Sequence, residues 1–345
     1  MTWSMPNFAI ARPRDIESAI AAREQESLSV FLAGGTDLLV NLRLGLGHPK
    51  LLIDLSTIDA LREKSLATPG IRIGACTSLM ELTAMPAIRQ RYRALAQAAE
   101  AVASPPTRTI ATLGGNLCLQ TRCVYYNQSE WWRRSNNYCL KHEGNVCHVA
   151  PQGQRCHAAF SGDLAPALMV LDAEVEIAGR NMQRRRVKLV DLYREDGRAH
   201  LALEADEILV CVHLPPDPPP SSYAKARVRG AIDFPLAGVA IALAADGKRL
   251  LQLRVGITGT NSRPFLLQGV DALIGGTLDG DALHYLETLV QKQVQPMRTT
   301  TISAHYRRLA AAALVRRLAT VIAATPEETG QTTGIADDQD HRAAT

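Results

Sequence analysis

A chain of 345 residues is too long for one average hydrophobic core, so two or three domains are expected. With 46% hydrophobic and 21% charged residues it has the make-up of an ordinary soluble protein. Its net charge of +4 is too small, over this length, to point to a nucleic-acid or membrane partner.

The basic clusters Arg133-Arg134 and Arg184-Arg185-Arg186 read as solvated faces. Residues 1–14 lack an apolar run behind a basic start, and no stretch reaches the roughly 18 uninterrupted apolar residues of a membrane helix. The expected location is therefore cytoplasmic. In that reducing setting clustered cysteines read as metal ligands or redox groups before disulfides. Cys76 and Cys211 stand apart in apolar sequence and read as buried small hydrophobes.

Residues 1–55 alternate strand, helix, strand, helix, strand. Asp15 caps a helix through Ile16, Ile20 and Ala21, and Leu28 to Leu32 is a short apolar strand. That strand runs into Ala33-Gly34-Gly35-Thr36-Asp37, after which Leu38 to Leu42 resumes a helical pattern and Leu51 to Leu55 reads as a buried strand. A strand, a Gly-Gly turn and a helix start make an anion site, because free N–H groups meet a backbone that glycine leaves bare. A plain tight turn fits the same four residues equally well.

Ile71 to Ala75 is the next predicted strand, with Thr77 or Ser78 capping a helix. Tyr92 to Ala103 is predicted as one helix, stopped by Ser104-Pro105-Pro106. A second Gly-Gly turn follows at Gly114-Gly115-Asn116, about eighty residues after the first. Two such turns could clamp the two phosphates of a dinucleotide, although neither has the G-x-G-x-x-G spacing of a Rossmann turn.

Between the run Ala111-Thr112-Leu113-Gly114-Gly115-Asn116 and Ser161-Gly162-Asp163-Leu164-Ala165-Pro166 lie five of the seven cysteines: Cys118, Cys123, Cys139, Cys147 and Cys156. Four thiolates suit an iron–sulfur cluster or a structural zinc, and the spacing leaves both open. His142, His148 and His157 are possible substitute ligands. Tyr125, Tyr126, Trp131 and Trp132 either shield a metal or pack on the neighbouring domain. The insertion has too little apolar content to fold alone, so metal is expected to supply its core.

Residues 165–215 read as strands and turns, with strands at Glu174–Ile177 and Ile208–Leu214. Pro215 to Pro220 is the clearest linker. Beyond it, Ala237–Ala245 and Leu251–Ile257 read as strands. Ser303 to Ala319 reads as a helix with Tyr306, Leu309, Ala313, Leu314 and Val321 near one face. From Thr325 the chain is polar and reads as a mobile tail.

Four ordered motifs, Phe31-Leu-Ala-Gly-Gly-Thr-Asp-Leu38, Thr112-Leu-Gly-Gly-Asn116, Asp163-Leu-Ala-Pro-Ala167 and Ser303-Ala-His-Tyr-Arg-Arg308, resemble the FAD-binding subunit of the molybdenum hydroxylase (xanthine dehydrogenase) family. The likeness runs from about Phe8 to Leu318. About forty residues separate the second Gly-Gly turn from the Asp-Leu motif, which resembles the beta subunits of the 4-hydroxybenzoyl-CoA reductase type.

The implied fold class is α+β. A two-part FAD-binding domain of the vanillyl-alcohol-oxidase/PCMH type carries an iron–sulfur loop insertion, and a C-terminal α+β domain of the CO dehydrogenase flavoprotein type follows. The expected boundaries are 1–55 and 56–216 for the two FAD-binding parts, 117–160 for the insertion, 221–324 for the C-terminal domain and 325–345 for the tail.

By the resemblance, Phe31, Leu32, Ala33, Gly34, Gly35, Thr36, Asp37 and Leu38 bind the FAD pyrophosphate together with Thr112, Leu113, Gly114, Gly115 and Asn116. Val102, Asp163, Leu209 and Lys225 match positions beside the cofactor. Cys123, Cys139, Cys147 and Cys156 match the ligands of a [4Fe–4S] cluster, leaving Cys118 to the flavin domain. No catalytic residue is expected on this chain. The implied role is electron transfer in an oxidoreductase that removes the phenolic hydroxyl of 4-hydroxybenzoyl-CoA reductively. Its implied partners are a molybdenum-cofactor subunit and a [2Fe–2S] subunit, in a dimer of heterotrimers fed by a ferredoxin-type donor. The alternative is the FAD subunit of an oxidative hydroxylase with a structural, zinc-binding insertion.

Overall fold

Asp15 opens the first helix. Its carboxylate accepts the Ser18 N–H at 2.7 Å while its own N–H donates to the Ser18 hydroxyl at 3.4 Å, a reciprocal cap on Ile16–Gln25. That helix links strand β1 (Ala9–Ala11) to β2 (Ser29–Leu32), and the helix Leu38–Arg43 leads on to β3 (Leu51–Asp54). The three strands pair in parallel in the order β1-β3-β2, an arrangement that requires crossover connections of this kind. The computed structural model describes residues 5–65 and 70–324, so the expected tail at 325–345 lies outside the described residues.

A second sheet is antiparallel throughout. It comprises β4 (Lys64–Ser65), β5 (Ile71–Gly74), β6 (Glu174–Ala178), β7 (Arg184–Lys188) and β8 (Ile208–Leu214), in the order β4-β5-β8-β6-β7. Val175, Val212 and Leu214 pack with Leu79, Leu82, Leu95 and Ala99 of the covering helices. Ile208, Val210 and Cys211 join Ile16, Ile20 and Ile53, which seats the parallel layer against this sheet.

The prolines 215–220 run directly from β8 into a third sheet. Strands β9 (Ser221–Ala226), β10 (Ala237–Asp246), β11 (Arg249–Thr258) and β12 (Phe265–Leu266) are antiparallel in the order β12-β11-β10-β9. Helices Gly280–Gln293 and Ala304–Ala324 close its core through Leu286, Val290, Val315 and Leu318. No helix among the described residues is long and apolar enough to cross a membrane.

Several expectations need correction. The helix predicted at 92–103 runs over Arg93–Ala101, capped by Tyr92 and preceded by a separate helix, Pro86–Arg91, and it ends before Ala103, which is in the left-handed region at φ 44°. Leu164–Val170, read as strand or turn, is a helix with every residue buried. It lies between the second and third sheets, where Pro166 meets Gly256, and a helix buried all round shows no apolar stripe to read. The last helix turns Arg307, Ala311, Leu314, Val315 and Leu318 inward, while Tyr306, Leu309, Ala313 and Val321 are exposed. Spacing alone chose the wrong stripe because the helix is alanine-rich and its buried face includes an arginine.

Candidate flavin and metal sites

The two Gly-Gly turns adjoin in space but use their backbones differently. At the first, the Ile110 carbonyl fills the place where a Gly34 side chain would begin, so the turn presses on the residues leading into the second motif. Gly35 sits at φ 68°. Among the described residues, no hydrogen bond engages the N–H groups of Gly34, Gly35, Thr36 or Asp37. Four successive free donors on a bare backbone are what a phosphate requires, so the turn fits the pyrophosphate of FAD.

The second turn has spent its donors. Leu113 N–H reaches Thr77 O at 3.0 Å, Gly114 N–H reaches Ala75 O at 2.7 Å, and Gly115 N–H reaches the Thr112 hydroxyl at 3.1 Å. Asn116 Oδ1 accepts the Leu164 N–H at 3.0 Å, tying the turn to the Asp163 motif. Gly114 is a glycine because Ala75 stands 2.8 Å from where its Cβ would be. Gly115 is exposed and offers only bare backbone. A two-sided clamp by backbone donors is therefore not the arrangement: the first turn presents donors and the second braces it.

Asp37 does not cap the helix it precedes. Its carboxylate pairs with Arg122 and accepts from Asn41 Nδ2 at 3.0 Å. The Arg122 guanidinium also lies over the Phe234 ring, 3.9 Å from its centroid. Burial lowers the Arg122 pKa and Asp37 opposes that shift. Arg122, Ser161, Asp233, Phe234, Thr300 and Arg307 border a cavity of about 220 Å³ between the flavin domain and the third sheet.

Asp163 and Lys225 form a buried pair beside it. Lys225 Nζ stands 3.1 Å from Asp163 Oδ1 with side chains 2% and 4% exposed, and the Tyr223 hydroxyl donates to the same carboxylate at 2.5 Å. Burial raises the Asp163 pKa, while Lys225 and Tyr223 pull it down. Lys225 also donates to Asp233 O at 3.0 Å, and Ile232 N–H donates to Ala103 O at 3.0 Å, bringing Val102 to the same seam. Leu209 is set apart, opposite Ile177 within the sheet core and not on the cavity wall.

The insertion is closed at its neck by paired backbone bonds between Arg122 and Ala159, of 2.7 and 2.8 Å. Beyond the neck Cys123, Cys139, Cys147 and Cys156 are all buried, unpaired and gathered around one pocket with Tyr125, Tyr126, Lys141 and His148. Among the described residues no three of their sulfurs lie within 4.8 Å of one another. His142 and His157 do not line the pocket, and Cys118 packs on the flavin-domain core. Lys141 Nζ donates to Thr121 O at 2.8 Å and lies 4.4 Å from the centre of the Tyr126 ring. Burial lowers the Lys141 pKa to about 8 against the opposing pull of Cys156 and Cys123.

The reading of Arg133 as a solvated residue is overturned. It is 1% exposed and donates to Leu44 O at 3.0 Å, Gly45 O at 2.9 Å and Glu130 Oε2 at 2.6 Å, pinning the insertion to the loop after Leu38–Arg43. Arg184, Arg185 and Arg186 are exposed as expected, paired to Glu176, Glu207 and Glu174. Cys76 is buried as expected, but Cys211 has polar neighbours in Glu176 and His213. Arg122, Lys141 and Tyr223 were not singled out by sequence reasoning. Only Arg122 carried a signal, being next to a cysteine at the insertion boundary.

Comparison with known proteins agrees with this architecture. Residues 6–217 match the family described as the FAD binding domain in molybdopterin dehydrogenase, and residues 221–321 match the CO dehydrogenase flavoprotein C-terminal domain. The aldehyde oxidoreductase FAD-binding subunit PaoB of Escherichia coli (strain K12) is 33% identical over 265 residues, covering 74% of this chain and 82% of that protein. The carbon monoxide dehydrogenase medium chain of Hydrogenophaga pseudoflava is 24% identical over 318 residues, covering 90% and 96%. A solved structure of carbon monoxide dehydrogenase from Hydrogenophaga pseudoflava superposes with a TM-score of 0.75 at 21% identity, over 92% of this chain and 98% of that one, and shows the shared fold. With its two matched domains in order and a free-amide turn suited to the cofactor's phosphates, the chain belongs to the FAD-binding subunits of the molybdenum hydroxylase family.

Proposed function

We propose that this chain is the FAD- and [4Fe–4S]-carrying electron-transfer subunit of a molybdenum enzyme that oxidises its substrate on a partner subunit. The observation that supports the cluster is the gathering of Cys123, Cys139, Cys147 and Cys156 around one pocket with their sulfurs held apart. A single zinc at about 2.3 Å from each sulfur would draw four thiolates to about 3.8 Å from one another. In every group of three at least one sulfur–sulfur separation exceeds 4.8 Å, which suits a larger, multi-iron centre better. Lys141, at the pocket with its Nζ on Thr121 O at 2.8 Å, would set a positive charge beside an anionic occupant.

In this reading the Gly34–Asp37 amides bind phosphate, and Arg122 neutralises Asp37 beside them while forming the neck of the insertion. Asp163 and Tyr223 hold Lys225 at the seam with the third sheet. When bound, FAD exchanges one or two electrons and a cluster exchanges one, which suits the subunit to relay between them. Residues 1–55 and 56–216 form the flavin-binding part, 117–160 the cluster insertion, and 221–324 the C-terminal domain. The partners are a molybdenum-cofactor subunit and a [2Fe–2S] subunit.

The oxidative direction is supported by relatives named as dehydrogenases, among them the carbon monoxide dehydrogenase medium chain of Hydrogenophaga pseudoflava. Reductive dehydroxylation of 4-hydroxybenzoyl-CoA, with a ferredoxin-type donor, is a second reading that the cysteine insertion favours by resemblance. Assays of the purified complex separate them. Turnover of aldehydes with an electron acceptor supports the first reading. Reduction of 4-hydroxybenzoyl-CoA by a low-potential donor, with no aldehyde turnover, would replace it with the second. Metal analysis of the same sample should find about four irons per chain beyond those of the partner; zinc in their place would remove the cluster.

A further inference from the structure

A second group of metal-ligating side chains meets on the five-stranded sheet, and none of its members lines either pocket described above. Cys211 and His213 are two residues apart on β8, so the pleat sends both to one face. Glu176 on β6 is the register partner of Cys211. Cys211 Sγ lies 3.3 Å from Glu176 Oε2 and 3.3 Å from His213 Nε2, and those last two atoms are 3.4 Å apart. The three form a closed triangle.

A hydrogen-bonded relay through histidine would use both ring nitrogens. Here the same Nε2 faces the sulfur and the carboxylate oxygen. A tetrahedral zinc, with Zn–S about 2.3 Å and Zn–N or Zn–O about 2.0 Å, sets sulfur about 3.5 Å from the nitrogen and oxygen, and those two about 3.3 Å apart. The triangle matches that spacing before any ion is considered. Arg184 takes Glu176 Oε1, which fixes the carboxylate and leaves Oε2 turned to the thiol and ring, as outer partners of metal ligands do. Cys211 is buried, whereas the His213 and Glu176 side chains are 19% and 18% exposed, so water can reach a fourth position.

We propose that Glu176, Cys211 and His213 bind one divalent ion of the zinc class and clip β6 to β8. The proposal is independent of the cluster in the insertion. Its test is a Co²⁺ titration of the chelator-treated full chain, read by thiolate-to-cobalt absorption. Cys123→Ser is the background, so that the four-cysteine pocket contributes less and can be told apart. The expected result is a thiolate–cobalt band in Cys123→Ser that loses the share of one thiolate when Cys211→Ser is added. Because Cys211 is buried, Glu176→Gln and His213→Ala are titrated in the same background, and each should weaken Co²⁺ binding by at least about tenfold. A band absent from Cys123→Ser, or undiminished in Glu176→Gln and His213→Ala, would overturn the site and leave the three residues as a hydrogen-bonded polar cluster.

Discussion

The flavin domain and the insertion it carries hold together by different forces. In the flavin domain, Leu79, Leu95, Leu113, Leu168, Val175 and Val212 belong to one continuous apolar cluster with no exposed member. The insertion's buried cluster is Cys123, Cys156 and Ala158 alone, so two of its three members are thiols. It is positioned instead by polar anchors: Arg133 on the carbonyls of Leu44 and Gly45, Lys141 on Thr121, and Val124 N–H on Thr299 O. Apolar burial is indifferent to ligands. A segment built on thiols and buried cations depends on what the thiols bind.

Damage to the first region should spread, and damage to the second should stay local. The largest effect is expected from Gly34→Ala, because the new Cβ collides with the Ile110 backbone, which cannot give way as a flexible side chain would. A destabilisation of about 3 kcal/mol or more is expected with loss of flavin, measured by denaturant unfolding and flavin absorbance. At Gly115→Ala the new Cβ meets only the Thr112 hydroxyl, at 2.8 Å, so the cost should be about 1.5 kcal/mol, and a loss as large as that of Gly34→Ala would blur the contrast between the turns.

The boundary between the regions should be acid-sensitive. His200 is 3% exposed, its Nε2 is 2.9 Å from Leu119 O, and burial followed by the Lys141 charge lowers its pKa from 6.5 to about 4. A base with a depressed folded pKa binds its proton first in the unfolded chain. Stability is therefore complete above pH 6.5 and falls as pH drops toward 4. The loss approaches about 3 kcal/mol at the lower end, and stability curves of His200→Gln should be flatter in that window.

Arg133→Ala leaves the carbonyls of Leu44 and Gly45 and the Glu130 carboxylate without their donor. A cost of about 2 kcal/mol is expected, confined to 117–160 in hydrogen exchange. Protection lost across the flavin domain would break the comparison. The smallest effect belongs to Thr112→Val, which removes the cap on Gly115 N–H and should lower global stability by about 1 kcal/mol in thermal unfolding.

Much of this was legible in sequence because it is local. The Asp15 cap, both glycine turns, the alternation in β6 and the apolar runs of β8 and β10 each announce themselves within a few residues. What stayed hidden depends on contacts between distant segments. Glycine pairs look alike whether their amides are free, as at Gly34, or spent, as at Gly114. Arg133 reads as a surface residue until the 44–45 loop supplies its acceptors, and Arg307 until Leu236 and Met297 do. The pairing of Glu176 with Cys211 exists only through the register of β6 on β8.

The central claim is that four thiolates of the insertion hold an iron–sulfur centre beside a flavin. It is tested most directly by the paramagnetic resonance of the dithionite-reduced full chain against its Cys147→Ser variant, with flavin counted in both. A reduced-cluster signal present in the chain and lost in Cys147→Ser, at equal flavin content, is the predicted result. A flavin-replete chain that shows no such signal, or a signal untouched by Cys147→Ser, would contradict it.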